Sequence, residues 1–222
     1  GDTPSALNII LPECYLSADN TPRINSINRN MKTYLESGVF AEYKDSFVYV
    51  ERTQSDGVVR RGIVGKIDLE AYDYRPGTDK AVRATEQTVI SRIPPRVEIR
   101  KDAPLEMPHV MLLIDDPEGT VIEPLKGKDF KCLYDFELML GGGHIKGWKL
   151  DDSGCEAVVN ALTRLEEENG GLLFCVGDGN HSLASAKAHW ENIRENLSDE
   201  EKQTHPARYS LVELVNIHDK SL

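Results

Sequence analysis

Apolar residues recur along the first third of the chain with two different periods. Between Arg23 and Ser37, Ile24, Ile27, Met31, Tyr34 and Leu35 return mostly at steps of three and four. That period gathers them on one side of a helix, and Gly38 is a natural stop, since glycine takes the left-handed conformation at a helix end without penalty. Upstream, Asn8-Ile9-Ile10-Leu11 predicts a short buried strand ended by Pro12. Downstream, Phe47 to Arg52 and Val58 to Leu69 are rich in β-branched and aromatic residues and flank Ser55-Asp56-Gly57. They predict a hairpin whose Asp-Gly tip supplies positive φ.

The segment from Thr78 to Arg100 is polar and Arg-rich, and Pro94-Pro95 divides it into two helical pieces or a helix and a loop. His109 to Ile114 predicts a strand running into the turn Asp115-Asp116-Pro117-Glu118-Gly119, after which Val121-Ile122 resumes extended structure. Phe130 to Leu140 and His144 to Leu150 predict two strands around Gly141-Gly142-Gly143. A helix follows from Ser153 to Glu168, with Val158, Val159, Leu162 and Leu165 on one face and Asn169-Gly170-Gly171 as its stop. Then come a strand from Leu172 to Val176, a turn over 177–182, and a helix from about Ser182 to Asn196. Ser198-Asp199-Glu200-Glu201 resembles a capping box that starts a short helix, and Arg208 to Ile217 alternates as a final strand. The order predicts an α+β fold: mixed sheet or sheets flanked by helices, with a β-rich first half and a β-α-β last third. Residues 1–222 are expected to form one unit, a piece of a longer protein because the chain starts at Gly1 rather than Met; a sub-division into 1–125 and 126–222 stays open.

Composition narrows the partners. The net charge of −11 opposes a phosphate backbone, so nucleic acid is an unfavourable partner and a small anion held by a few focused Arg and Lys is a better one. No apolar run nears the roughly 20 residues that span a bilayer, and no basic-then-apolar leader opens the chain. A cytoplasmic protein without a membrane partner is expected. Cys14, Cys132, Cys155 and Cys175 are far apart, so no zinc site is expected, nor haem. Cys175, within Leu172 to Val176, reads as a buried inert thiol. The oligomeric state is left open.

Three clusters carry candidate chemistry. In Gly177-Asp178-Gly179-Asn180-His181-Ser182, a glycine-flanked turn ends a strand and opens a helix. Glycine lets the backbone approach a ligand closely, and the helix start offers free N–H groups and a positive dipole end. Asp178 and His181 add groups for metal binding or proton transfer. The plain alternative is a helix cap, since Asp, Asn and Ser all cap well. The second cluster is Arg83 to Thr88 with Arg92, Arg96 and Arg100, where planar guanidinium forks suit phosphate; the alternative is a solvated face paired to nearby Glu. The third is Gly141-Gly142-Gly143-His144-Ile145-Lys146-Gly147, either an anion-binding nest or a flexible hairpin loop. The remaining histidines, His109 and His189 among them, read as structural.

These segments together resemble the bacterial family called domain of unknown function 1015. The resemblance rests on FVYVER at 47–52, GIVGKIDLEAYDY at 62–74, RATEQT at 83–88, IPPRVEIR at 93–100, PHVMLLIDDPEGTVIEPL at 108–125, GGGHIKG at 141–147, VGDGNHSLA at 176–184 and HPARYSLVELVNIHD at 205–219. The commoner form of the family's turn is Asp-Gly-His-His-Arg: Asp178, Gly179 and His181 match, while Asn180 and Ser182 depart from it. With that arginine lost, the anion's charge falls to Arg83, Arg92 or Arg96. The turn is similar to that of the ParB and sulfiredoxin-like superfamily, which implies phosphoryl transfer or phosphoester hydrolysis on phosphoserine, serine or a nucleotide.

In that reading Asp178 is metal ligand or base, His181 contacts the phosphoryl group and Glu86 is a second base or ligand. Gly177, Gly179, Asn180, Ser182, Arg83, Thr88, Arg92, Arg96, Gly142, Gly143, His144 and Lys146 hold phosphate, and Mg²⁺ and a nucleotide are the expected cofactors. Asp178, His181, Glu86, Arg83 and His144 should then line one pocket. The competing readings are a non-catalytic, ParB-like nucleotide sensor and a structural or interaction protein.

Overall fold

The computed structural model describes residues 3–16, 19–107 and 109–222; Gly1 and Pro108 lie outside them. Helix α1, Thr21–Glu36, starts with Pro22 in its first turn, where the missing proline N–H costs nothing, and gives way to Gly38 at φ +68°. Strands β1, Val48–Thr53, and β2, Val59–Asp68, form the expected hairpin with Gly57 at φ +85°. β3, Tyr72–Asp73, and β4, Val82–Ala84, follow. Their shortness and polar surroundings hide them from a periodicity reading.

The segment from Thr78 to Arg100 does give two helical pieces, a 3-10 turn at Ile90–Arg92 and helix α2, Ile93–Arg100, but the division falls before the prolines. Pro94 and Pro95 do not break a helix; they occupy its first turn. Asn8 to Leu11 is also not a strand: Ala6–Asn8 is a single 3-10 turn capped by Ser5, and Ile9 is buried against α1. After β5, Met111–Ile114, Val121 and Ile122 are fully buried but lead into a 3-10 turn, Glu123–Leu125, instead of a strand. The Asp116 carboxylate accepts from the N–H groups of Thr120 and Val121, which bends the chain there.

The second half matches its expected elements closely. These are β6, Lys131–Glu137; β7, His144–Lys149; α3, Asp152–Glu168; β8, Phe174–Asp178; α4, Asn180–Arg194; α5, Asp199–Thr204; and β9, Tyr209–Asn216. The Ser198–Glu201 capping box is present at α5.

The fold is α+β. All described strands join one mixed sheet in the order β3-β4-β8-β5-β9-β2-β1-β7-β6. The last third does run β-α-β, but β5 lies between β8 and β9, antiparallel to the first and parallel to the second. β8 and β9 are therefore antiparallel, unlike the ends of a parallel crossover unit. Tyr49, Ile63, Leu214, Leu112, Val176, Val82 and Tyr72 share one face of the sheet, through the pairs Tyr49↔Ile63, Ile63↔Leu214, Leu112↔Leu214 and Leu112↔Val176. Val158, Ala161 and Leu165 of α3 and Leu183, Ala186 and Trp190 of α4 complete this core. Leu183 and Trp190 are 0 % and 1 % exposed, and each such burial contributes about 2–3 kcal/mol. That burial fixes α4, and hence the position of its first turn. A smaller cluster joins Ile27 and Met31 of α1 to Ile9, Leu105 and Met107.

Candidate functional site

β4 and β8 run parallel, with Ala84 opposite Val176, so both deliver their carboxyl ends to one edge of the molecule. Loops at such ends are where open α/β sheets collect ligands. The loop after β4 crosses the turn after β8: the Thr85 hydroxyl donates to the Val176 carbonyl at 2.6 Å, and the Val89 N–H donates to His181 Nε2 at 3.1 Å. The second cluster thus meets the first.

At the turn, Gly179 sits at φ +86° as the N-cap of α4. A Cβ there would lie 3.2 Å from the His109 carbonyl oxygen and from Val110 Cα, so glycine is needed for both conformation and space. Glycine also supplies no capping side chain, and α4 has no side-chain cap. The first backbone bond of the helix is Leu183 N–H to the Gly179 carbonyl. The N–H groups of Asn180, His181 and Ser182 therefore find no acceptor among the described residues. The sequence alternative of a capped helix is not what this turn does.

Two buried side chains sharpen the picture. Thr88 and Asn180 are only 6 % and 5 % exposed, yet Thr88 Oγ1 and Asn180 Oδ1 have no partner among the described residues. A buried polar atom left unmatched costs about 1–3 kcal/mol, so each one calls for a partner; Asn28 Oδ1 and Tyr72 Oη, elsewhere in the fold, are in the same state. Asp178 is exposed; its Oδ1 accepts from Gly179 N–H at 2.7 Å, and Oδ2 carries no bond to a described residue. His181 uses Nε2 as an acceptor, which leaves its proton on Nδ1 in this arrangement. Gly177 is exposed, and a Cβ on it would meet Leu113 at 2.8 Å, so it too is a steric requirement.

Arg83 and Arg96 are engaged with other partners. Arg83 donates to the carbonyls of Lys80 and Asp79 in the loop before β4. Arg92 is exposed, in a 3-10 turn, and its carbonyl accepts from Arg96. Arg96 pairs with Glu13 and, together with Ser182, lines a cavity of about 650 Å³. Glu86 is exposed in the loop that crosses the turn.

The third cluster is not part of this site. β7 lies five strands from β8, with β5, β9, β2 and β1 between them. At about 4.8 Å per strand that is on the order of 24 Å along the sheet. Gly142 N–H and the Gly143 carbonyl close the hairpin through Met139 and Leu138. His144 is held by Glu137 at 2.7 Å and Asp135 at 2.5 Å, and Lys146 by Asp135 at 2.9 Å. The two carboxylates raise the His144 pKa, Glu137 most strongly. The expectation that His144 shares a pocket with Asp178 is therefore corrected: β-pairing with β1 carries it to the other side of the sheet.

Sequence reading passed over two groups. His109 Nε2 contacts Glu213 at 2.5 Å, and Glu213 pairs with Arg60 at 3.2 Å. Burial pushes the Glu213 pKa up, but the His109 and Arg60 contacts outweigh it and hold the carboxyl below its usual range. An acid inside the alternating run of β9 was the available signal. His189 is 9 % exposed and faces the same cavity as Ser182. Cys175 proves only half-buried.

Among the described residues no three His, Cys, Asp or Glu side chains cluster to hold a metal, and no helix is long and apolar enough to cross a membrane. What the geometry defines is an α+β protein with an open helix N-terminus at a sheet edge. Over residues 1–222 the chain matches the family described as "Protein of unknown function (DUF1015)", and it belongs to that family. No curated protein and no solved structure shows significant similarity to it.

Proposed function

We propose that the β8–α4 turn binds the phosphate of a small metabolite and supports phosphoryl transfer or phosphoester hydrolysis on it. The observation that carries this is the coincidence of three unmatched N–H donors at an uncapped helix start with two buried, partnerless side-chain oxygens, on Thr88 and Asn180. A phosphate accepts from the N–H groups and from the Thr88 hydroxyl, and gains from the positive end of the α4 dipole. The His181 Nδ1–H is a further donor. A protonated phosphate oxygen can donate to Asn180 Oδ1. The free Oδ2 of Asp178 orients a water or a hydroxyl nucleophile and takes its proton as the P–O bond to the leaving oxygen breaks. The leaving oxygen takes up a proton from the phosphoryl group or from solvent.

Mg²⁺ typically binds through one or two carboxylates plus substrate phosphates, and Asp178 Oδ2 with exposed Glu86 suits that pattern. Bound there, the ion would neutralise phosphate charge. The likeness to ParB and sulfiredoxin-like turns supports phosphoryl chemistry at this turn, by analogy alone; the phosphorylated amino acid or nucleotide it suggests has still to fit the neighbouring cavity.

Release of phosphate from a panel of phosphomonoesters with Mg²⁺ tests the reading. Asp178→Asn should lower turnover by about 10²–10⁴-fold with little change in melting temperature. Turnover that is absent throughout, or indifferent to Asp178→Asn, would sink it. One observation favours a second reading, binding without turnover: His181 Nε2 is already occupied by the Val89 N–H and is not free as a base. A nucleotide that stabilises the protein and is recovered intact would support that sensor role.

A further inference from the structure

A cavity reaches the first turn of α4 at Ser182, and its lining says what kind of molecule would carry a phosphate held there. Ser182, in the first turn of α4, lines it, and so does His109, whose carbonyl packs on Gly179. Its volume, about 650 Å³, falls within the usual range for small-molecule pockets. Ile9, Leu11, Leu16, Ile99, Leu105 and Ile193 contribute to its apolar wall, from the N-terminal segment, α2, the loop after it and α4. Inorganic phosphate or phosphoserine would leave most of that volume and apolar surface uncovered.

Charge points the same way. Two carboxylates line the cavity, and both are already committed. Glu13 accepts from Arg96 at 2.5 and 2.6 Å. Glu106 accepts from Arg100 at 2.6 Å, from the Ser210 hydroxyl at 2.7 Å and from Leu211 N–H at 3.1 Å. An α-ammonium group entering here would find no free countercharge, and an unpaired charge taken from water is costly. His189 makes no hydrogen bond to a described residue. Burial, with the charges of Arg100 and His205, lowers its pKa, so it offers a neutral polar contact within an apolar surround.

Resting on the reading of the turn as a phosphate site, we propose that the substrate is a phosphomonoester with an apolar organic half that carries no ammonium group. Its phosphate sits at Asn180 to Ser182, and its body fills the cavity between α1, α2 and α4. A zwitterionic ester such as phosphoserine is then a poor ligand.

Isothermal titration of the chain with inorganic phosphate, O-phosphoserine, ethyl phosphate, hexyl phosphate and 1-hexanol tests this. Each methylene moved from water into the cavity should tighten binding about fourfold, so hexyl phosphate should bind well over tenfold tighter than ethyl phosphate. Phosphoserine should bind no better than ethyl phosphate. In Ile193→Gln and, separately, Ile99→Gln, the hexyl-to-ethyl ratio should fall toward one. The wild-type chain-length series stands even if a variant misfolds. Equal affinity for ethyl and hexyl phosphate, or tighter binding of phosphoserine, overturns the cavity assignment while leaving phosphate binding at the turn intact. Hexanol binding as tightly as hexyl phosphate, with no response to inorganic phosphate, overturns the phosphate reading and this proposal with it.

Discussion

The β8–α4 turn and the β6–β7 hairpin are built from similar residues, glycines beside a histidine, and use them in opposite ways. At 177–182 the glycine removes the cap that would have satisfied the helix start, and N–H groups and buried oxygens are left unmatched. At 141–144 the glycines complete a tight hairpin: Leu138 N–H reaches the Gly143 carbonyl at 2.7 Å, and His144 is clamped between two carboxylates. Glycine content and a neighbouring histidine therefore do not identify a site. What distinguishes the two is the backbone: α4 starts with N–H groups that no described acceptor takes up, whereas the hairpin pairs its own N–H and carbonyl groups across the turn.

The sharpest way to break this comparison is Gly143→Ala. Gly143 has φ +91°, and a Cβ would lie 1.9 Å from the Thr53 carbonyl oxygen. The account expects a loss of about 2–4 kcal/mol in chemical denaturation from backbone strain and overpacking. Phosphate binding by the folded fraction should be retained. A loss of phosphate affinity at unchanged stability would show that the hairpin belongs to the site after all.

Thr88→Val comes next, and separates a binding role from a structural one. Deleting a buried hydroxyl that has no partner should leave stability unchanged or raise it by about 1 kcal/mol. The same change should weaken phosphate binding on the order of tenfold, since a hydrogen bond to a charged ligand is lost. Stability that falls while affinity holds would mark Thr88 as part of the scaffold only.

The smallest effect belongs to His144. Its folded pKa is raised by Glu137 and then Asp135, so the pairing stabilises the hairpin fully below the unfolded value near 6.5. That stabilisation is lost as pH rises through the higher folded value. Melting temperatures should show a small extra decline with pH over that window, absent in His144→Gln. A larger pH response of phosphate affinity in wild type than in His144→Gln would contradict the separation of the two regions.

Much of the fold was legible from pattern alone. Long amphipathic helices such as α1 and α3, and the β1–β2 and β6–β7 hairpins, announce themselves because one face of each is buried and the other is not. β3 and β4 were not legible: two- and three-residue strands carry too few positions to show a period. Pro94-Pro95 reads as a break until its place in the first turn of α2 is known. For the site, the turn residues and Thr88 stood out by type, and the family likeness drew attention to them. That Arg83 turns back on its own loop, and that four strands part His144 from the turn, depends on long-range pairing that no local pattern encodes. The cavity walls come from five separate stretches of chain, so only the folded structure assembles them.

The most direct test is a titration of the isotope-labelled chain with inorganic phosphate, followed by backbone amide chemical shifts. The account predicts saturable shifts at Asn180, His181 and Ser182, with Thr88 and Val89 responding and Gly142 to His144 unmoved. Shifts centred on Gly142 to His144, or none at the start of α4, would contradict it.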